Sequence, residues 1–215
     1  MAIDGYRQGG IKIMTVFFLT IAMVLILGPM INDMIIEKTT ILQSLEIVVK
    51  RTVLSLVGEE VESNLNAQIA LIQELPFIPF VKDEMIENNN RVIYQLFQTD
   101  SFSGYLAMYI ARFFVQILAF AIALLTTKIA IKIVDGVFDI FSKLPVIGTL
   151  NHISGMLLGI GKGVIGLWIC FLLLAIFVDT GIGSIIYRRI SEEQLLYYLY
   201  ENNWLIQYLA SRITL

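Results

Sequence analysis

The sequence predicts an all-α, polytopic membrane protein with three transmembrane helices, a helical extracytoplasmic insertion and an amphipathic C-terminal helix. Three observations carry that expectation. Apolar residues make up 57% of the 215 residues and charged ones only 15%, the mean hydropathy is +0.78, and three long apolar runs alternate with polar stretches. Soluble domains of this length do not normally tolerate such a balance. A net charge of −3, with no cluster of Lys or Arg beyond membrane-flanking basics, argues against a nucleic-acid partner. The single cysteine, Cys170, lies inside an apolar run. It offers no internal disulfide and no thiolate set for zinc, and neither a metal nor a cofactor is expected.

Residues 11–31 are almost uninterrupted Ile, Met, Val, Phe and Leu, and about 20 residues at ~1.5 Å each cross ~30 Å of hydrocarbon. This run is read as the first transmembrane helix. Gly28 and Pro29 mark its exit or a kink in its last turn. The preceding "MAIDGYRQGGIK" lacks the order of a cleaved signal, so the first helix is expected to stay in the membrane.

Residues 32–103 form a polar insertion with many more acids than bases. Apolar residues recur there at helical spacing, as in Leu45, Val48 and Val49, then Leu65, Ile69 and Ile72, predicting two or three amphipathic helices. Thr39 or Thr40 is placed at the cap of the first. Pro76 and Pro79 stop the second by disfavouring helix at Leu75 and Ile78. A further helix is expected from about Lys82 through "MIENNNRVIYQLFQ", weakened by its three asparagines.

The second span is set at residues 104–134, with Arg112 and Lys128 at the two interfaces and their heads snorkelling outward, because a charge at mid-bilayer costs about 3 kcal/mol. The alternative is an Arg112 that faces a protein or watery interior and pairs with an acid such as Asp135 or Asp179. Pro145 and Gly148 define a turn in "KLPVIG", and the third span follows to about residue 178. Gly155, Gly159, Gly163 and Gly166 fall near one side of it, leaving a groove for close helix packing. Lys162 is placed on a different flank and snorkels.

Arg7 and Lys12 precede the first span, and Lys128, Lys132 and Lys143 lie around the second connection. The excess of basic residues places both on the cytoplasmic side, and the insertion and C-terminus outside. Arg188 and Arg189 oppose that assignment mildly. Residues 179–215 are read as an interfacial helix capped by Ser191, with Glu192 and Glu193 in its first turn and Tyr197, Tyr198, Tyr200, Trp204 and Tyr208 at the membrane surface.

Two segments, "GYRQGGIKIMTVFFL" from Gly5 and "KLPVIGTLNHISGMLLGIGKGVIGL" from Lys143, resemble the colicin V production protein family of bacterial inner-membrane proteins. The resemblance covers residues 4–31 and 103–178. It implies a family turn at Gly5, Tyr6, Arg7 and Gly9, and a family loop and helix start carried by Pro145, Gly148, Asn151 and Lys162. His152 stands where the family has Arg or Lys, and only Met1–Asp4 precede the turn where a further hydrophobic helix is expected. What the resemblance implies is a role in colicin V production and envelope homeostasis, in the cytoplasmic membrane, without an assigned reaction.

No catalytic constellation is read from the chain. His152 and Ser154 are two residues apart, so on a regular helix they point about 200° apart and cannot form a base and nucleophile. "GIGKG" lacks the spacing and the Ser or Thr of a phosphate loop. Two readings follow. In one, a non-catalytic component supports toxin export or envelope maintenance, contacting an envelope or export protein through residues 32–103. In the other, a homo-oligomer forms a small channel or transporter whose path is lined by Arg112, Lys162 or His152, since three spans alone enclose no pore.

Overall fold

The computed structural model describes residues 10–141, 148–177 and 181–214, with side chains placed for 14–133, 153–175, 177 and 181–214. The described residues contain helices and no strand. We number the helices α1 (Gly10–Lys38), α2 (Ile41–Leu56), α3 (Glu59–Ser63), α4 (Leu65–Glu74), α5 (Pro79–Glu87), α6 (Arg91–Leu96), α7 (Phe102–Phe141), α8 (Gly148–Phe177), α9 (Gly181–Glu192), α10 (Gln194–Glu201) and α11 (Trp204–Ala210). Three of them are long and apolar enough to cross a membrane, over Met14–Lys38, Phe102–Ile133 and Ile153–Ala175. The chain is therefore a multi-pass membrane protein, as its composition predicts.

The chain divides into two compact units. One comprises residues up to Asp33 together with Leu118–Ile169, and the other comprises Met34–Ile117 and Cys170–Leu215. The first unit is made of long apolar helix. Along α1, Val24 is buried while Phe18, Leu25, Ile26 and Met30 are exposed, the side-chain distribution of a helix that meets lipid around most of its circumference. The helix continues through Pro29 to Lys38, so Pro29 is not the exit. Loss of one N–H is tolerated inside a helix that goes on hydrogen-bonding beyond it.

The second unit is built from short helices whose ends are set by asparagine and proline. Asn64 caps α4 by accepting from the N–H groups of Asn66 and Ala67 at 2.9 and 3.4 Å, and Pro79 occupies the first turn of α5. The asparagine triplet ends one helix and starts another, where a single weakened helix was expected. Asn88 donates to the Glu84 carbonyl at 2.8 Å, and Asn90 accepts from Val92 and Ile93 at 3.1 and 3.2 Å. A side chain that competes for backbone partners ends one helix and starts the next. At the other end of the unit, the single C-terminal helix of the sequence reading is three. Ser191 lies inside α9 and donates to the Arg188 carbonyl instead of capping, and Asn203 caps α11 through Leu205 and Ile206. At the start of α2, the Thr39 hydroxyl accepts from Ile41 N–H at 3.3 Å, while Thr40, at the cap position, makes no side-chain cap bond.

Helices α4 and α5 pack together, and α11 packs on α5, so the insertion and the C-terminal segment share one core. Its axis is the first part of α7. Between Phe102 and Ile117 the side chains on every side of that helix are buried or half-buried. After Ile117 exposed positions appear, among them Leu118, Ile122, Leu125 and Ile129.

Gly104 sits where α7 begins, its N–H donating to the Ser101 hydroxyl at 3.1 Å. A Cβ there would overlap the Thr99 hydroxyl and lie 2.9 Å from the Ser101 hydroxyl. Gly104→Ala is expected to lower stability by about 1–3 kcal/mol, the usual range for overpacking a closed site, read as a lower unfolding midpoint of the detergent-solubilised chain.

Candidate functional site

Tyr105, Tyr109, Arg112 and Gln116 follow one another at spacings of four, three and four, which places them along one side of α7. Their partners come from elements distant in sequence. The Tyr105 hydroxyl donates to the Met85 carbonyl at 2.6 Å. Arg112 donates to the Ile213 carbonyl at 3.3 Å, and Gln116 to the Arg212 carbonyl at 3.3 Å. The Arg112 guanidinium also lies over the Phe97 ring, 4.8 Å from its centroid. A cation over an aromatic face is stabilised by the ring quadrupole, more so where water is excluded. Two atoms of this face, the Tyr109 hydroxyl and Arg112 Nε, are buried with no hydrogen-bond partner among the described residues.

The aromatic rings close the face from above. Tyr94 stacks on Tyr105 with centroids 5.3 Å apart, and Phe97 stacks on the same ring at 6.0 Å. Tyr94 is held by a polar chain in which its hydroxyl donates to Asn89 at 2.6 Å, Asn89 donates to Gln68 at 2.8 Å, and Gln68 donates to the Glu62 carbonyl at 3.0 Å. The Glu62 carboxylate in turn accepts from the Ser103 N–H at 3.3 and 3.2 Å. A carboxylate from α3 thus meets the positive end of α7, where free N–H groups and the helix dipole favour negative charge.

Arg112 therefore does not snorkel to an interface as the sequence reading favoured. It faces the protein, where its guanidinium meets the Phe97 ring and the Ile213 carbonyl. It has no carboxylate partner among the described residues, and the side chains of the expected acids Asp135 and Asp179 lie outside them. In the other unit, Gly155 and Gly159 are buried and Gly163 and Gly166 half-buried, while Lys162 and Gly161 are exposed. Lys162, seven residues after Gly155 and four before Gly166, falls on the same side of α8 as these glycines, not on the different flank expected for it, and its side chain is exposed. The turn at Gly5, Tyr6, Arg7 and Gly9 and the loop residue Pro145 lie outside the described residues. Gly148 begins α8, with Asn151 and His152 in its first turns, their side chains outside the described set.

The sequence reading missed Glu62, Gln68, Asn89, Tyr94, Tyr105, Tyr109 and Gln116. Four polar residues at helical spacing in an apolar run were a readable signal. The carbonyl acceptors were not, since every residue has one. Among the described residues, no group of His, Cys, Asp and Glu has the arrangement to hold a metal ion.

The sequence model described as colicin V production protein matches residues 93–208, more than half of the chain. The chain belongs to the colicin V production protein family. The match takes in the whole polar face of α7, the "KLPVIG" segment and the C-terminal helices through Tyr208. It extends past the resemblance read from sequence at the C-terminal end, and the N-terminal "GYRQGG" segment lies outside it. Neither a curated protein nor a solved structure matches the chain.

Replacing Arg112 by Ala in this family member removes both the ring contact and the bond to the Ile213 carbonyl. With about 1.5–3 kcal/mol for a hydrogen bond to a charged group, the C-terminal segment should open more than tenfold more often, read as faster proteolysis near Arg212. Tyr94 titrates high, pushed up to about 12 first by burial and then by the nearby Glu62 charge. The folded state thus keeps its proton where the unfolded state has lost it, and stability should fall as pH rises from about 10 to 12. Alkaline unfolding curves of Tyr94→Phe should be flatter across that window than those of the parent chain.

Proposed function

We propose that the protein is a non-catalytic component of the bacterial cytoplasmic membrane that supports toxin production and export or envelope homeostasis. Its N-terminus and second connection lie in the cytoplasm, and the unit formed by the insertion and the C-terminal helices lies outside. The observation that carries this reading is the environment of Arg112. A charge inside an apolar span is ordinarily a mark of an ion or substrate path, but here the guanidinium is stacked on Phe97 and bonded to the Ile213 carbonyl. Its role in this reading is to hold the C-terminal segment on the second span. The family assignment supports the toxin-production role, and the asymmetry of basic residues supports the orientation.

In this reading the outer unit is a platform. Residues 32–103 offer its contact to an envelope or export protein, and the glycine side of α8 packs helices or protomers. No reaction, nucleic acid or cofactor enters the proposal.

Cysteine accessibility in intact membranes tests it, in a chain with Cys170→Ala and single cysteines at Glu60, Arg112, Lys143, Gly159 or Lys162. Labelling of position 60 from outside and of position 143 only from inside, with 112, 159 and 162 unreactive to a water-soluble thiol reagent, is the expected result. Reaction at 112, 159 or 162 from the aqueous phase would replace this reading with an oligomeric channel or transporter.

A further inference from the structure

We infer that α9 is a membrane-surface helix whose isoleucines lie among the outermost acyl carbons of a phospholipid leaflet, with its arginines at the level of the lipid phosphates. The described residues of α8 run to Phe177 and those of α9 begin at Gly181. Four residue steps reach no more than about 14 Å, so the start of α9 is tied to the end of a membrane span.

An aromatic ladder fixes the depth of the helix further along. Tyr200 of α10 meets the Phe171 ring at 5.4 Å and the Tyr187 ring at 5.5 Å, both edge to face. Phe171 lies inside the apolar stretch Ile153–Ala175, about 9 Å before the end of α8 at ~1.5 Å per residue. Tyr187 is midway along α9. The ladder thus holds α9 beside the last turns of a span, at the depth where hydrocarbon gives way to headgroups.

The faces of α9 match that placement. Gly183 and Ile190 are buried and Tyr187 is half-buried, all on the side of the ladder. Ile182, Ile185 and Ile186 are 75%, 53% and 45% exposed, and at about 100° per residue they share a sector that also holds Arg189. Three neighbouring exposed isoleucines on a surface helix mark a contact site. Ser184, Ser191 and Arg188, all exposed, form the third side. Arg189 makes an exposed ion pair with Glu192 at 3.2 Å, which leaves its stem free to lie along apolar surface while its head stays with polar groups. Amphipathic helices of this pattern bind in the plane of the interface. The occupant of the isoleucine sector is a lipid leaflet because α9 starts within four residues of the end of a long apolar helix and is held beside its last turns by the ring contacts.

The test uses the full chain with Cys170→Ala, a single cysteine at Ile185 or Ser184, and an environment-sensitive fluorophore on it, reconstituted into phosphatidylcholine–phosphatidylglycerol vesicles. Lipids carrying a spin label near the top of the acyl chain should quench the probe at 185 roughly twofold or more over the probe at 184, as an interfacial helix requires. Emission at 185 should be blue-shifted and insensitive to aqueous iodide. Iodide quenching at 185 equal to that at 184 would overturn the proposal. A shielded probe at 185 that lipid labels do not quench, with cross-linking between 185 positions that rises with protein density, would overturn it in favour of a second copy. Ile185→Asp changes an exposed side chain and should leave the helical circular dichroism intact, while iodide quenching of a probe at Ile182 rises at least about twofold. Unchanged quenching there would also refute the leaflet contact.

Discussion

A polar side chain on an apolar helix must find its partner within the protein, and the second unit is organised around that requirement. Tyr105, Arg112 and Gln116 project from the first four turns of α7, and each bonds a main-chain carbonyl supplied by another segment. Left in hydrocarbon, each would cost several kcal/mol. Wrapped in protein, the same groups fix which carbonyl must sit where. Met85 is thereby held against α7, and so are Arg212 and Ile213. The insertion and the C-terminal segment, far apart in sequence, are two parts of one sleeve around a common axis.

Apart from α2, with 16 residues, the sleeve is made of pieces too short to be stable helices alone, since isolated helices below about 12–15 residues are marginal in water. Their ends are defined locally by Asn64, Asn90 and Asn203, each accepting from two N–H groups. Their stability is collective, through buried residues such as Ile72, Val81, Met85, Ile206 and Leu209. Short segments with fixed ends can turn around a central helix where one long helix could only lie alongside it. The Glu62 carboxylate completes the assembly by meeting the start of α7, so the axis is tied to its cover at its first turn as well as along its length.

Much of this was legible in the sequence. The three spans, the helical class and the family followed from hydropathy and from the "KLPVIG" segment, because lipid imposes a length and composition that no other environment requires. The boundaries inside the insertion and the tail were misjudged where asparagine was treated as a weak helix former instead of a cap, and where Ser191 was given a role that Asn203 fills for the next helix. Arg112 was misplaced for a deeper reason. Its partners are a phenylalanine ring and a backbone carbonyl, and neither residue type announces that it will receive a cation. Ion-pair reasoning searches for acids, and here the charge is answered by dipoles and a π face.

The bond from Arg112 to the Ile213 carbonyl joins positions 101 residues apart, with a complete transmembrane helix between them. At roughly 5–20 residues per second of synthesis, the arginine exists for about 5–20 s before its acceptor has been made. During that interval the second span is already a hydrophobic segment at the membrane, carrying a cation with no carbonyl to receive it. Until then hydrocarbon disfavours that cation, and wet or protein-lined surroundings favour it. The contact that seats Arg112 is thus one that can form only after the third apolar helix has been made.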